Sequence, residues 1–324
     1  MHPKLKIKIG KLWLKNPVMA ASGTFGYAEE FRDFADLRKL GAIVTKTITL
    51  NPRRGNPPPR TCETPAGMLN SIGLENPGLE GFIKEKLFFL KKLGVPIIVS
   101  IASEGDSQEF VSLAKRLDRI KEVSAIELNI SCPNIKRNQK PARPGKAKRA
   151  RETSNQSYKL ISQDPRATYA LVQNVRRVTR KALITKLSPN VTDIAEIAQA
   201  AESAGCDAVS LINTLSGMSI DIDSRKPRLG NLTGGLSGPA IRPVAVRMVW
   251  EVYQKVKIPV IGMGGISDTL SALEFFLAGA SAIAVGTANF INPGVTIEII
   301  DGIKKYLSKN KIKDIKTLIG SLKL

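Results

Sequence analysis

Short apolar runs rich in β-branched residues recur eight times along the chain, and helix-period segments separate most of them. The runs are NPVMAAS (16–22), AIVTKTI (42–48), PIIVSI (96–101), AIELNI (125–130), ALITKL (182–187), AVSLIN (208–213), PVIGMG (259–264) and AIAVGT (282–287). Between them lie segments such as SQEFVSLAKRLDRIKEV, DIAEIAQAAESAG and IRPVAVRMVWEVYQKV, with helical periodicity. Glycine follows several of these helices just before the next strand, as in ESAGCDAVSL and FLAGASAIAV, where a left-handed cap ends a helix. Eight alternations of buried strand and helix predict an α/β fold, a parallel sheet closed into a (β/α)8 barrel. An open doubly wound sheet is the alternative. The opening MHPKLKIKIGKLWLKNP alternates charge and hydrophobe, which predicts an N-terminal β-hairpin and lacks the apolar core of a signal peptide. With 43% hydrophobic residues over 324 positions, residues 1–324 can bury one large core as a single domain. No apolar run reaches the ~18 residues of a membrane span, so a soluble, cytoplasmic protein is expected.

The uneven spacing of the strands points to the functional face. A long insert, NPRRGNPPPRTCETPAGMLNSIGLENPG, follows the second strand, and a basic stretch follows the fourth. Both fall on the C-terminal face of the barrel, where this architecture builds its active sites. The polar residues sit at the same ends: Ser22 after the first strand, Lys46 and Thr47 on the second, Asn129 ending the fourth. Lys186 lies on the fifth, Asn213 and Thr214 end the sixth, and Gly264, Gly265, Gly286 and Thr287 close the seventh and eighth. A lysine buried unpaired costs several kcal/mol, so Lys46 and Lys186 converging on one barrel mouth imply an anionic or electron-rich ligand between them. Paired glycine clusters after the last two strands let backbone N–H groups approach a phosphate, although glycines also merely punctuate strand ends. Together these features favour a phosphate-bearing cofactor.

Composition narrows the chemistry. The single histidine is His2, so acid–base work falls to Cys, Asp, Glu, Lys or Tyr. Cys62, Cys132 and Cys206 are far apart and odd in number, which leaves no disulfide framework and no metal-type pair; no metal is expected. Cys132 lies just past a strand end in Ser-Cys-Pro-Asn. A lone cysteine is often a small core hydrophobe, but this one stands on the functional face, where a modest shift from its usual ~8.5 would make it a base. For Cys62 and Cys206 the structural reading is preferred. Asn70, Asn129, Asn134 and Asn213 cluster on or beside the same face, and amides offering donor and acceptor suit a neutral ring of alternating C=O and N–H groups. Individually each also suits a turn or a cap.

With these residues in place, the chain resembles the flavin-dependent dihydroorotate dehydrogenases, most of all the class 1B catalytic subunit. The resembling segments are NPVMAASGTFG, GAIVTKTITLNPRRGNPPPR, NSIGLENPG, ELNISCPN, TKLSPNVTD, LINTLSGMSID, GGLSGPAIRPVAVRMV, IPVIGMGGI and AIAVGTANF. The resemblance implies one FMN per chain, bound by Ser22, Lys46, Thr47, Asn129, Lys186, Ile212, Gly238, Gly264, Gly265, Gly286 and Thr287. It places dihydroorotate against Lys46, the loop Asn70, Ser71, Ile72, Gly73 and Leu74, and Asn129, Asn134, Asn213 and Thr214. Cys132 becomes the base that takes the C5 proton in the oxidation to orotate, a step of pyrimidine (UMP) biosynthesis. Electrons then pass to a separate subunit carrying FAD and a [2Fe–2S] cluster and on to NAD+. The implied assembly is a homodimer core with that subunit, a heterotetramer. Class 1A relatives use fumarate instead; class 2 relatives have a membrane helix and a serine base, absent here.

Two departures stand out. Ser100 and Ser103 occupy positions where the family often has an asparagine and a glycine. The larger one follows the CPN motif, where Lys136 to Arg151 hold eight basic and no acidic residues. Residues 136–157 are read as a basic, solvated and disordered insert in the active-site lid loop. It contributes to a net charge of +21, from 49 Lys and Arg against 28 Asp and Glu. Such a field favours anionic ligands and acidic partners. A tRNA-dihydrouridine synthase-like enzyme is the nucleic-acid rival, but no aromatic platform interrupts the basic run, so nucleic acid is not expected. A dihydropyrimidine dehydrogenase-like subunit acting on uracil is a further alternative; Lys46 and the NSIGLEN loop favour the carboxylate of orotate.

Overall fold

The computed structural model describes residues 3–103, 107–130 and 161–323. Eight parallel strands close into a barrel: β3 (Val18–Ala20), β4 (Ala42–Val44), β7 (Ile97–Ile101), β8 (Val123–Asn129), β9 (Ala182–Lys186), β10 (Ala208–Leu211), β15 (Val260–Met263) and β16 (Ala282–Val285). They stand in chain order, and β16 pairs with β3 to close the ring, so the open-sheet alternative is excluded. Seven of the predicted runs contain one of these strands whole, and β8 begins two residues before the fourth run. The strands β7, β9, β10, β15 and β16 are buried at every position, because side chains fill the barrel on one face and helices cover the other.

The helices form where the periodicity predicts them, at Ser107–Asp118, Ile194–Ser203 and Arg242–Tyr253 among others. Aspartates start several of them. Asp164 accepts from the backbone N–H groups of Arg166 and Ala167, and Asp193 from those of Ala195 and Glu196. Asp268 and Ser271 form a reciprocal capping box at Thr269–Leu277.

The N-terminal hairpin, β1 (Ile7–Ile9) and β2 (Leu12–Leu14), closes the bottom of the barrel with Ile7, Ile9 and Leu14 buried. Its turn comes so close to the start of β10 that a Cβ on Gly10, at φ +55°, would lie 2.4 Å from the Asp207 Cβ. Asp207 in turn receives the Arg176 guanidinium at 2.9 Å and the Leu183 N–H at 2.8 Å, joining hairpin, helix and two strands.

The insert after the second barrel strand has structure of its own despite its Pro- and Gly-rich sequence. It holds a hairpin, β5 (Thr61–Thr64) and β6 (Gly67–Asn70). A second excursion, after β10, supplies β11 (Leu215–Gly217) and β14 (Gly234–Ser237), which complete a four-stranded antiparallel sheet in the order β11-β14-β6-β5. Two short strands between them, β12 (Ile220–Asp221) and β13 (Lys226–Pro227), pair with each other. The four-stranded sheet forms a wall over one side of the barrel mouth. No helix among the described residues is long and apolar enough to cross a membrane.

Candidate active site

Two adjoining cavities occupy the C-terminal mouth. The larger, about 500 Å3, is lined by Ser22, Lys186, Ile212, Gly238, Gly264, Gly265, Gly286 and Thr287. The smaller, about 170 Å3, is lined by Lys46, Thr47, Asn70, Ile72, Gly73, Leu74 and Asn129. Ser22, Lys186, Asn213 and Thr214 border both. The residues assigned to cofactor and substrate thus converge, with three of the cofactor set, Lys46, Thr47 and Asn129, on the smaller chamber. Cys132 and Asn134, with the basic insert 136–157, lie outside the described residues.

Thr47 is the hub that fixes the chamber floor. Its hydroxyl accepts from Asn129 Nδ2 at 3.0 Å and bonds the hydroxyls of Ser100 at 2.9 Å and Ser22 at 3.1 Å. One donor and two acceptor sites are all a hydroxyl has, so this group is saturated. Asn129 Oδ1 then accepts from Asn213 Nδ2 at 3.5 Å, while Asn213 Oδ1 accepts from the Thr214 N–H at 2.8 Å. Asn190, from the Ser-Pro-Asn run after β9, donates to the Thr214 carbonyl and accepts from the Ser216 N–H, which holds the strand-six loop against the mouth. Ser100, where the sequence departs from the family pattern, is absorbed into this network.

The loop 70–74 is fastened from behind. Asn56 N–H donates to the Ile72 carbonyl, Arg53 Nε to the Gly73 carbonyl, and Ser71 N–H to the Arg60 carbonyl. Asn76, buried, accepts from the Thr49 and Gly78 N–H groups and donates to the Leu74 carbonyl. Ser71 serves this fastening and not the cavity: its side chain is 1% exposed and its Oγ is bonded by Asn56 and Asn231. Of the five loop residues expected at the ligand, Ser71 alone is missing from the chamber lining.

Lys46 lines the smaller chamber, beside the shared Lys186. Burial pulls its ammonium below the ordinary lysine range, and the carboxylates of Glu75 and Glu30 only partly oppose this. A half-buried, underpaired ammonium is a site for an anion's carboxylate.

The far end of the larger cavity is shaped by missing side chains. Gly264 and Gly265 have φ of +122° and +76°, and a Cβ on Gly265 would lie 2.7 Å from Arg242 Cβ and 2.9 Å from the Gly238 carbonyl oxygen. Gly286 differs. A Cβ there would meet nothing closer than 3.8 Å, so the protein itself leaves room at that point. A cradle of bare backbone that the fold has no need to keep open fits a phosphate group. Sequence reasoning missed the wall: the turn from Glu63 to Met68, and Ser237, whose Oγ accepts from Thr287 Oγ1 at 2.8 Å, all line the larger cavity. Ser237 precedes the assigned Gly238 in GGLSGP, so the signal was present; nothing in CETPAGM announces a cavity wall.

Comparison with known proteins agrees with this geometry. The dihydroorotate dehydrogenase family model matches residues 4–307. The chain is 52% identical to the dihydroorotate dehydrogenase B (NAD(+)) catalytic subunit of Trichlorobacter lovleyi over 322 residues, 99% of both chains. It is 52% identical to that of Thermoanaerobacter pseudethanolicus over 320 residues and 53% identical to that of Thermodesulfovibrio yellowstonii over 321, again 99% of both chains. A parallel barrel, a polar two-chambered mouth and full-length similarity together show that the chain belongs to the dihydroorotate dehydrogenase family.

Proposed function

We propose that this chain oxidises (S)-dihydroorotate to orotate as the catalytic subunit of an NAD+-linked dihydroorotate dehydrogenase. The observation that carries the reading is the pair of chambers. One has a glycine cradle suited to a phosphate, and the other has a half-buried ammonium among amides. FMN, held in the larger by Ser22, Lys186, Ile212, Gly238, Gly264, Gly265, Gly286 and Thr287, would supply the two-electron acceptor for the hydride on C6 of the substrate.

The chain's own residues do the rest. Lys46 meets the substrate carboxylate in the smaller chamber, where exclusion of water strengthens the contact. Asn70, Asn129, Asn213 and Thr214 offer donors and acceptors to the ring amides, and the Thr47 network holds Asn129 in one orientation. Asn134 joins them from the CPN motif. Cys132 takes the C5 proton, with its thiolate as general base. Residues 1–324 act as one domain, with 136–157 a basic insert in the active-site lid loop.

Onward transfer requires a partner. Three cysteines are one short of a four-thiolate cluster, and burial pushes the Cys206 thiol up to about 12, which disfavours the thiolate a cluster needs. The NAD(+)-linked name of the relatives, and their designation as catalytic subunits, support a second subunit, which in our proposal carries the FAD and [2Fe–2S]. The assembly we propose is a homodimer of this chain with that subunit on each copy. Phe290 and Ile291, 55% and 83% exposed, border the larger cavity and mark where electrons would leave.

The test is substrate discrimination. With an artificial acceptor dye, the purified protein is expected to convert dihydroorotate to orotate and to leave dihydrouracil untouched. Turnover of dihydrouracil instead would assign the chain to uracil chemistry.

A further inference from the structure

Glu127 is a buried carboxylate that the chemistry above does not use. It lies inside the barrel on β8, 2% exposed, two residues below Asn129 and so ~7 Å beneath the floor of the smaller chamber at ~3.3 Å per residue. Its Oε2 accepts from Ser210 Oγ at 3.0 Å, and its Oε1 is buried without a partner among the described residues.

The strand order makes this bond informative. Glu127 is on β8 and Ser210 on β10, and β9 lies between them. Glu127 is in register with Ile184, and Ser210 with Lys186. The bridge therefore crosses the inner face of β9 between Ile184 and Lys186, at the root of the Lys186 side chain. Lys186 is itself 5% exposed and borders both chambers. Neither residue is in a direct ion pair among the described residues. An isolated charge of either sign in such a place is strongly disfavoured, whereas two opposite ones compensate each other.

We propose that Glu127, held by Ser210, is the internal counter-charge of Lys186, a positioning residue that keeps an ammonium at the junction of the chambers. The same negative charge would lower the reduction potential of FMN held by the larger chamber. The second statement rests on the FMN reading; the first does not.

A double-mutant cycle on the flavin-free full chain tests the pairing. Glu127→Gln is expected to lower the thermal midpoint in the wild-type background and to raise it in the Lys186→Met background, where it removes an orphaned charge. Equal shifts in both backgrounds would overturn the pairing; a Lys186→Met chain that folds only when Glu127→Gln is added would establish it. On the flavin-loaded enzyme, Glu127→Gln is expected to favour cofactor reduction at least tenfold, ~30 mV for a two-electron couple. An unchanged potential would refute the electrostatic role, because a merely structural role leaves that potential alone. Failure of the wild type to bind flavin would sink the FMN reading and leave the cycle to decide the pairing.

Discussion

Two glycines of the cavity predict opposite phenotypes for the same added methyl group. Gly265 is held by its own backbone. At φ +76° an alanine incurs ~1–2 kcal/mol of left-handed strain, and its Cβ would crowd Arg242 Cβ at 2.7 Å and the Gly238 carbonyl at 2.9 Å. Overpacking of that kind costs ~1–3 kcal/mol, so Gly265→Ala should destabilise the flavin-free protein by about 2–5 kcal/mol. Gly286 meets no protein atom within 3.8 Å of an added Cβ, and its φ is not in the left-handed region. Gly286→Ala should therefore leave stability within ~0.5 kcal/mol of wild type, while its methyl enters the space assigned to FMN. A loss of ~1.4 kcal/mol there is a tenfold weaker complex. Thermal unfolding of the flavin-free variants, with FMN titration followed by flavin fluorescence, reads both quantities. A Gly286→Ala protein that binds FMN as tightly as wild type would refute the argument, since the bare backbone would then serve no ligand.

Other consequences follow from the same geometry. Lys46→Met should raise KM for dihydroorotate by ten- to a hundredfold, because a hydrogen bond to a charged group contributes ~1.5–3 kcal/mol. Burial lowers the Lys46 proton affinity, so substrate binding should weaken as pH rises through that lowered value, at a pH where an ordinary lysine is still charged; a flat KM–pH profile in the alkaline range would contradict this. Thr47→Val removes the bonds to the Asn129 amide and two serine hydroxyls, and should lower stability by ~1–3 kcal/mol, measured by urea denaturation. Cys206, buried with its thiol pushed up to about 12, should resist alkylation in the native protein and react only on unfolding, as mass mapping after iodoacetamide treatment would show.

The barrel was legible because its strands are chemically uniform. Runs such as ALITKL and AIAVGT are buried on both faces, so each reads as a continuous apolar segment, and the helices between them carry period and caps. The lysines and asparagines were legible as exceptions: a charge inside such a run, as in VTKTI, has few explanations other than a ligand. The antiparallel wall was not legible. Its strands are three or four residues long, are rich in glycine, and come from insertions more than a hundred residues apart, so register was set by tertiary contact rather than by pattern. Ser71 shows the same limit. Nothing in NSIGL distinguishes a side chain facing the ligand from one fastening the loop, and the partners that decide it, Asn56 and Asn231, are distant in sequence. Glu127 was hidden for the opposite reason: in ELNISCPN it reads as one more polar residue beside a motif, and only the order of β8, β9 and β10 shows what it spans.

The central claim is that this barrel removes a proton and a hydride from dihydroorotate, with Cys132 as base. The direct measurement is the visible flavin spectrum of the purified protein under anaerobic conditions as dihydroorotate is added. Stoichiometric bleaching is expected in the wild type and, near neutral pH, none in Cys132→Ala although substrate still binds. A bound flavin that dihydroorotate cannot bleach in the wild type, or equally fast bleaching in Cys132→Ala, would contradict it.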